Sequence, residues 1–196
     1  MFSHGDLLFT QIGAGDNAIS AVTEGYRGAR VNHVGVILIN NKGTFVLEAF
    51  PPEVRVTQID VHLKRSQDTE MKPRYICARL KEPFTKLIAP AVEYGLSRRN
   101  IPYDELYLTD ESSLYCSELV VDMFRYANAG GDFFPENPMS FRSPVTGKIL
   151  PAWSVYYRQF GMEVPDGEPG SNPGDISKDP RLTIVEIVGK LTGYRP

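Results

Sequence analysis

Apolar and polar residues follow two periods along this chain. Residues 5–9 read as a short first strand. Apolar runs at 32–39 and 44–50 flank Asn40-Asn41-Lys42-Gly43, which predicts a β-hairpin. Residues 54–60 and 75–80 alternate apolar with polar, as half-buried strands do. Residues 182–188 read as a last strand that returns to the same sheet, so the pattern places residues 1–196 in one domain. The helical period appears over 84–99, with Leu87, Ile88, Ala91, Val92 and Leu96 on one side and Pro90 starting or kinking it. It appears again in Leu119, Val120, Met123 and Ala127, behind a 110–113 segment whose acids and hydroxyls suit a helix N-terminus. Gly130-Gly131 stops this helix, and an aromatic, Pro-rich stretch begins at Phe133. Residues 151–160 form a helix or an aromatic wall, and 165–180 read as a polar loop rich in Gly and Pro.

The hairpin carries a more specific expectation. A loop centred on Asn40–Gly43 pairs residues whose numbers sum to an odd value, such as 81 or 83. His33 and Glu48 then share a sheet face, directly opposite or diagonal, unless a bulge intervenes.

Cys116 falls in the first turn of the second helix, on the stripe of Leu119, Val120 and Met123. The free N–H groups of a first turn favour negative charge, and a nucleophilic thiol needs such a place. A small buried thiol that only packs fits the same position. A base and an orienting group elsewhere would decide between the two. Cys77 lies mid-strand and reads as structural. His62 follows a strand in a charged segment and is expected to meet solvent, and His4 has no assigned role.

Gly13, Gly15 and Ala18 match a G-x-G-x-x-A pattern between a strand and a short helix expected through Ala21 to about residue 24. A dinucleotide site would also want an acid at the end of the next strand, where Asn40-Asn41 stands, and strand–helix alternation that does not follow. A tight glycine turn capping a helix accounts for the same residues.

Composition narrows the rest. A net charge of −3 without a basic tract argues against nucleic acid. No apolar run approaches the length of a bilayer span. The acid in Met-Phe-Ser-His-Gly-Asp is unlike a signal peptide, so a cytoplasmic place is expected. Two cysteines make no disulfide scaffold, and they form no metal-ligand spacing with three scattered histidines. No cofactor and no metal are expected.

A helix-borne Cys116, a strand-borne His33 and a Glu48 across the hairpin make the set that thiol acyl-transfer chemistry requires. The alternative is a structural His–Glu pair beside an inert thiol. Residues 32–36 (Asn-His-Val-Gly-Val), 46–49 (Val-Leu-Glu-Ala) and 115–120 (Tyr-Cys-Ser-Glu-Leu-Val) resemble the motifs of YiiX/YebB-like proteins. These are circularly permuted papain-like cysteine hydrolases of the NlpC/P60 superfamily, related to the lecithin retinol acyltransferase group. The resemblance covers roughly residues 5–128, and the order His33, Glu48, Cys116 matches the permuted arrangement. It implies an α+β fold, an antiparallel sheet with the cysteine helix packed against it. It also implies Cys116 as nucleophile, His33 as base and Glu48 as orienting residue. The expected activity is cleavage of an amide in a small peptide, a cell-wall fragment or an N-acyl amide. A thiol-dependent lipid acyltransferase or esterase and a non-catalytic binding module stand as alternatives. The expected partner is a small-molecule, peptide or lipid-amide substrate, and the aromatic stretch from Phe133 to Tyr157 is expected to line its groove.

Overall fold

A computed structural model describes residues 1–13, 17–109 and 112–196. Its centre is a six-stranded sheet. The strands are β1 (Leu7–Thr10), β2 (His33–Asn40), β3 (Gly43–Phe50), β4 (Glu53–Gln58), β5 (Tyr75–Leu80) and, last in the chain, β8 (Leu182–Val188). Their spatial order is β4-β3-β2-β1-β5-β8, and every pairing is antiparallel. Two-residue strands β6 (Asn137–Pro138) and β7 (Pro169–Gly170) pair separately. The helices are α1 (Ala18–Val22), α2 (Ile59–Lys64), α3 (Ile88–Ser97), α4 (Cys116–Ala127), α5 (Pro151–Arg158) and α6 (Pro173–Ser177). The mixture is an α+β fold.

Antiparallel pairing of β1 with β2 leaves no βαβ crossover for a dinucleotide fold. Gly15 of the glycine pattern lies outside the described residues, as do Asp110 and Glu111. Helix α1 passes through Ala21 as expected but ends at Val22 rather than about residue 24, and Asn17 caps its start by accepting from Ser20 N.

The predicted hairpin register holds without a bulge, from Val36 opposite Leu47 to Asn40 opposite Gly43. One sheet face carries Val34, Val36, Leu38, Leu47 and Ala49 into the main core, where α4 lays down Leu119, Val120 and Met123. The other face carries Leu8, Ile37 and Val46, covered by Ile59 and Leu63 of α2. Helix α3 packs against α4. They approach closely at Gly95, where an added Cβ would stand 2.7 Å from Leu47 Cδ2 and 2.8 Å from Met123 Sδ. Pro90 sits in the first turn of α3, where its missing N–H has no helical partner to lose. Leu96 is 39% exposed, off the buried stripe of Ala91, Val92 and Gly95.

Three sequence expectations change here. The strand predicted over 54–60 ends at Gln58, and Ile59 begins α2. The 165–180 loop contains β7 and α6, whose N-cap Asn172 accepts from Asp175 N. The aromatic stretch divides. Phe133 and Phe134 stack and cross against Phe124 in the main core, whereas Phe141, Trp153 and Tyr157 form a second cluster. No helix among the described residues is long and apolar enough to cross a membrane.

Candidate active site

His33 opens β2 and Glu48 lies on β3, both on the face that α2 covers. The register sets Glu48 diagonally from His33, and Glu48 Oε2 stands 2.6 Å from His33 Nε2. Both side chains are buried. Glycine at 35 makes the diagonal reach possible. A Cβ there would stand 2.4 Å from Val46 Cγ1 and 3.3 Å from Glu48 Cβ.

Two further groups hold the carboxylate. His62 Nδ1 lies 2.9 Å from the same Oε2, and Arg65 Nη2 donates to Oε1. His62 is fully buried, which corrects the expectation that it meets solvent. Ile59, His62 and Leu63 recur at helical spacing on α2, and that spacing turns the imidazole inward with the two apolar side chains. The same spacing was the available sequence signal. The Arg65 guanidinium also lies over the Phe50 ring, 3.9 Å from its centroid, and Phe50 meets the His33 ring edge-on at 5.4 Å.

Cys116 is the first residue of α4. Tyr115, with extended backbone, is the N-cap, and Glu118 accepts from its N–H at 3.3 Å. The cap therefore sits closer to the thiol than the 110–113 segment expected from sequence. Tyr115 Oη accepts from Ser171 N at 3.0 Å, which ties the helix start to the segment before α6. Cys116 is buried, and its thiol lies close enough to the His33 ring to raise the imidazole's pKa. With Nε2 on Glu48, Nδ1 is the imidazole nitrogen left for the sulfur. The three predicted residues are thus brought together.

The electrostatics follow from these contacts. Burial pulls the His33 pKa down, but hydrogen bonds to Cys116 and Glu48, and their charges, outweigh it and push the value up to about 9. Burial pushes Glu48 up, yet hydrogen bonds from His33 and His62 hold its carboxyl well below the usual range. For His62, burial dominates and lowers the pKa, and the nearby His33 and Arg65 cations add to this. The cluster at neutral pH is a charged His33, an ionised Glu48, a neutral His62 and a charged Arg65.

Two tyrosines complete the surroundings. Tyr103 N donates to Pro52 O, and the Leu106 and Leu108 N–H groups donate to the Asp104 carboxylate, which fixes the loop carrying Tyr103 and Tyr107. Burial raises the Tyr103 pKa, and charge at Tyr107 and Cys116 raises it further, so its hydroxyl stays protonated in the cavity it lines with Cys116. Asn32, next to His33, is committed elsewhere. It accepts from Ile12 N and donates to Ile12 O and Ser20 Oγ. Cys77 reads as it did from sequence. It is buried mid-strand, and burial with the Asp6 charge pushes its pKa up to about 12. His4 Nδ1 accepts from Ile39 N at the far end of the hairpin.

The model of a family described as permuted papain-like amidase enzymes, YaeF/YiiX, C92, matches residues 1–186. Fold and site together define a permuted papain-like amidase, a cysteine hydrolase. The chain belongs to the YaeF/YiiX, C92 family. Among solved structures it is similar to metalloprotein yiiX from Escherichia coli O157:H7, with a TM-score of 0.75 at 20% identity. The match covers 94% of this chain and 96% of that one, and at this identity it is a likeness of fold. No curated protein matches the chain.

Proposed function

We propose that the protein cleaves an amide bond through an acyl-enzyme on Cys116, with His33 as acid and base and Glu48 as the residue that orients it. The supporting observation is the buried His33 ring, held by Glu48 at 2.6 Å and raised in pKa by the neighbouring Cys116 thiol and by Glu48. An imidazolium beside a sulfur at a helix N-terminus favours the thiolate. The sulfur attacks the carbonyl carbon, and the C–O π pair moves onto oxygen. The Cys116 N–H, which no bond within the helix uses, faces that developing charge, with the Tyr103 hydroxyl as a second donor. The intermediate collapses, the C–N bond breaks, and the His33 proton goes to the departing nitrogen. His33 then takes a proton from water. The hydroxide adds to the thioester, the C–S bond breaks, and the acid leaves. The substrates that fit are a small peptide, a cell-wall fragment or an N-acyl amide. Transfer to an acceptor other than water uses the same thioester, and product analysis with and without an added amine or lipid alcohol separates the two.

The structurally similar yiiX is described as a metalloprotein. In this chain His33, Glu48 and His62 are the one group of possible metal ligands among the described residues. They do not fit a resident cation as arranged. Two ligands of a tetrahedral metal at its usual bond lengths stand about 3.3 Å apart, whereas these atoms are in direct hydrogen bonds at 2.6 and 2.9 Å. Arg65 already supplies the positive charge on Glu48. No step is assigned to a metal.

Rapid iodoacetamide labelling of Cys116 near neutral pH, lost in His33→Ala, is the expected result. Labelling no faster than a model thiol would favour the non-catalytic binding module instead.

A further inference from the structure

Glu48 is a buried carboxylate, and the cation nearest to it across the sheet does not hold it. Arg55 stands directly opposite on β4. Its Nη2 donates instead to Pro51 O at 2.8 Å, and its guanidinium lies toward the Phe50 ring. The bonds to Glu48 come from α2 and the residue that follows it. His62 Nδ1 stands 2.9 Å from Oε2, and Arg65 Nη2 donates to Oε1.

With His33 Nε2 also on Oε2, three donors occupy both oxygens. A carboxylate held by one oxygen turns about its last bond, and one held by both does not. A buried carboxylate with an unpaired oxygen takes up a proton or moves toward water. Either change would weaken the acceptor that faces His33 Nε2.

The His62 tautomer follows from the same contacts. An ionised carboxylate only accepts, so Nδ1 carries the proton. Nε2 is buried and has no partner among the described residues, so a proton there would be stranded. Arg65 acts along a second route as well. Its Cζ is 3.9 Å from the Phe50 centroid, and Phe50 meets the His33 ring edge-on.

Neither side chain is placed to touch substrate. His62 is fully buried, and neither His62 nor Arg65 lines the cavity at Cys116 or the one at His33. Their effect on the thiol passes through Glu48, Phe50 and His33.

We propose that His62 and Arg65 are positioning residues for the reaction: together they hold Glu48 by both oxygens and so keep the His33 ring turned with Nδ1 toward Cys116. This rests on the acyl-enzyme reading above and adds two residues to it.

The test uses His62→Leu and Arg65→Met in the full-length protein, which remove the donors and keep apolar bulk. It also uses His62→Asn, whose amide donates from the place of Nδ1. One readout is the second-order rate of Cys116 alkylation by iodoacetamide at pH 7, normalised to folded protein by near-UV circular dichroism. The other is imidazole ¹⁵N NMR of the wild type. Both donor-removing variants are expected to alkylate at least about tenfold more slowly than the wild type, and His62→Asn is expected to recover to within about threefold of it. The NMR signals are expected to show a neutral His62 with its proton on Nδ1. Unchanged alkylation in folded His62→Leu and Arg65→Met, with fast wild-type labelling still lost in His33→Ala, overturns the positioning role and leaves the acyl-enzyme intact. Slowing in His62→Leu that His62→Asn does not relieve assigns His62 to packing and overturns its part. A neutral His62 with its proton on Nε2 has no donor for Glu48 and also overturns it, a result that needs no variant to fold. Wild-type labelling no faster than a model thiol overturns both readings.

Discussion

Glu48 reaches His33 on the diagonal of the β2–β3 hairpin, with Oε2 2.6 Å from Nε2, and the residue that stands between them is a glycine. Substituting Gly35→Ala would drive a methyl group against Val46 Cγ1, 2.4 Å away, and toward Glu48 Cβ. Overpacking of this kind costs about 1–3 kcal/mol. Urea denaturation should show that loss. Hydrolysis per folded molecule should fall as well, because the carboxylate is displaced from the ring. Full activity in the folded fraction would mean that the diagonal contact does not orient His33.

Glu48→Gln removes the only carboxylate that faces His33, His62 and Arg65 among the described residues. Arg65 and charged His33 then lose their anion. The expected destabilisation is about 3 kcal/mol, the low end for breaking a buried pair, since Arg65 keeps some contact with water. Cys116 alkylation at pH 7 should slow toward that of a model thiol, followed by mass spectrometry of iodoacetamide-treated protein.

His33 has a folded-state pKa of about 9 against an ordinary 6.5. A raised value means that the folded state holds the proton more tightly. Its stabilisation is therefore complete below pH 6.5 and is lost as pH rises through 9. The urea midpoint should fall across that window in the wild type and stay flatter in His33→Gln. Acylation should decline on the same alkaline limb, because the leaving nitrogen needs the imidazolium proton. Single-turnover kinetics read this decline without interference from deacylation.

Tyr103→Phe removes a hydroxyl from the cavity lined by Tyr103 and Cys116 and keeps the ring. Loss of one oxyanion donor lowers kcat by about 10²–10³ with little change in KM. A kcat within a factor of two of the wild type would assign Tyr103 to packing.

Gly95→Ala is the contrasting change. It sits behind α4, where a methyl group would meet Leu47 and Met123. Stability should drop by about 1–3 kcal/mol from overpacking, with alkylation of Cys116 in the folded fraction unchanged. The comparison with Gly35→Ala separates damage to the core from damage to the site.

Much of the site was legible because it sits on periodic elements. The Asn40–Gly43 turn fixes the hairpin register, and an unbroken register places Glu48 on the face of His33. The stripe of Leu119, Val120 and Met123 fixes which way Cys116 points. The alternation over 54–60 hides the burial of His62, because the period changes from two to 3.6 inside that stretch, at Ile59. The N-cap is hidden for a different reason. Tyrosine is a weak capping signal by composition, and its role here comes from Glu118 one turn later and from Ser171, 56 residues away. The 133–157 aromatics looked alike in sequence. Only packing sent Phe133 and Phe134 into the main core and Phe141 and Trp153 into a second cluster.

The sequence by itself determined the antiparallel hairpin, the cysteine-headed helix and the three groups that acyl-transfer chemistry needs, since each follows from a local period or turn. Tertiary structure decided the rest. It turned His62 and Arg65 onto Glu48 and brought Tyr103 and Tyr107 to the walls of the cavity that holds Cys116. Those relations join residues more than a dozen positions apart, and no local pattern encodes a distance between segments that meet only when the sheet and its helices pack.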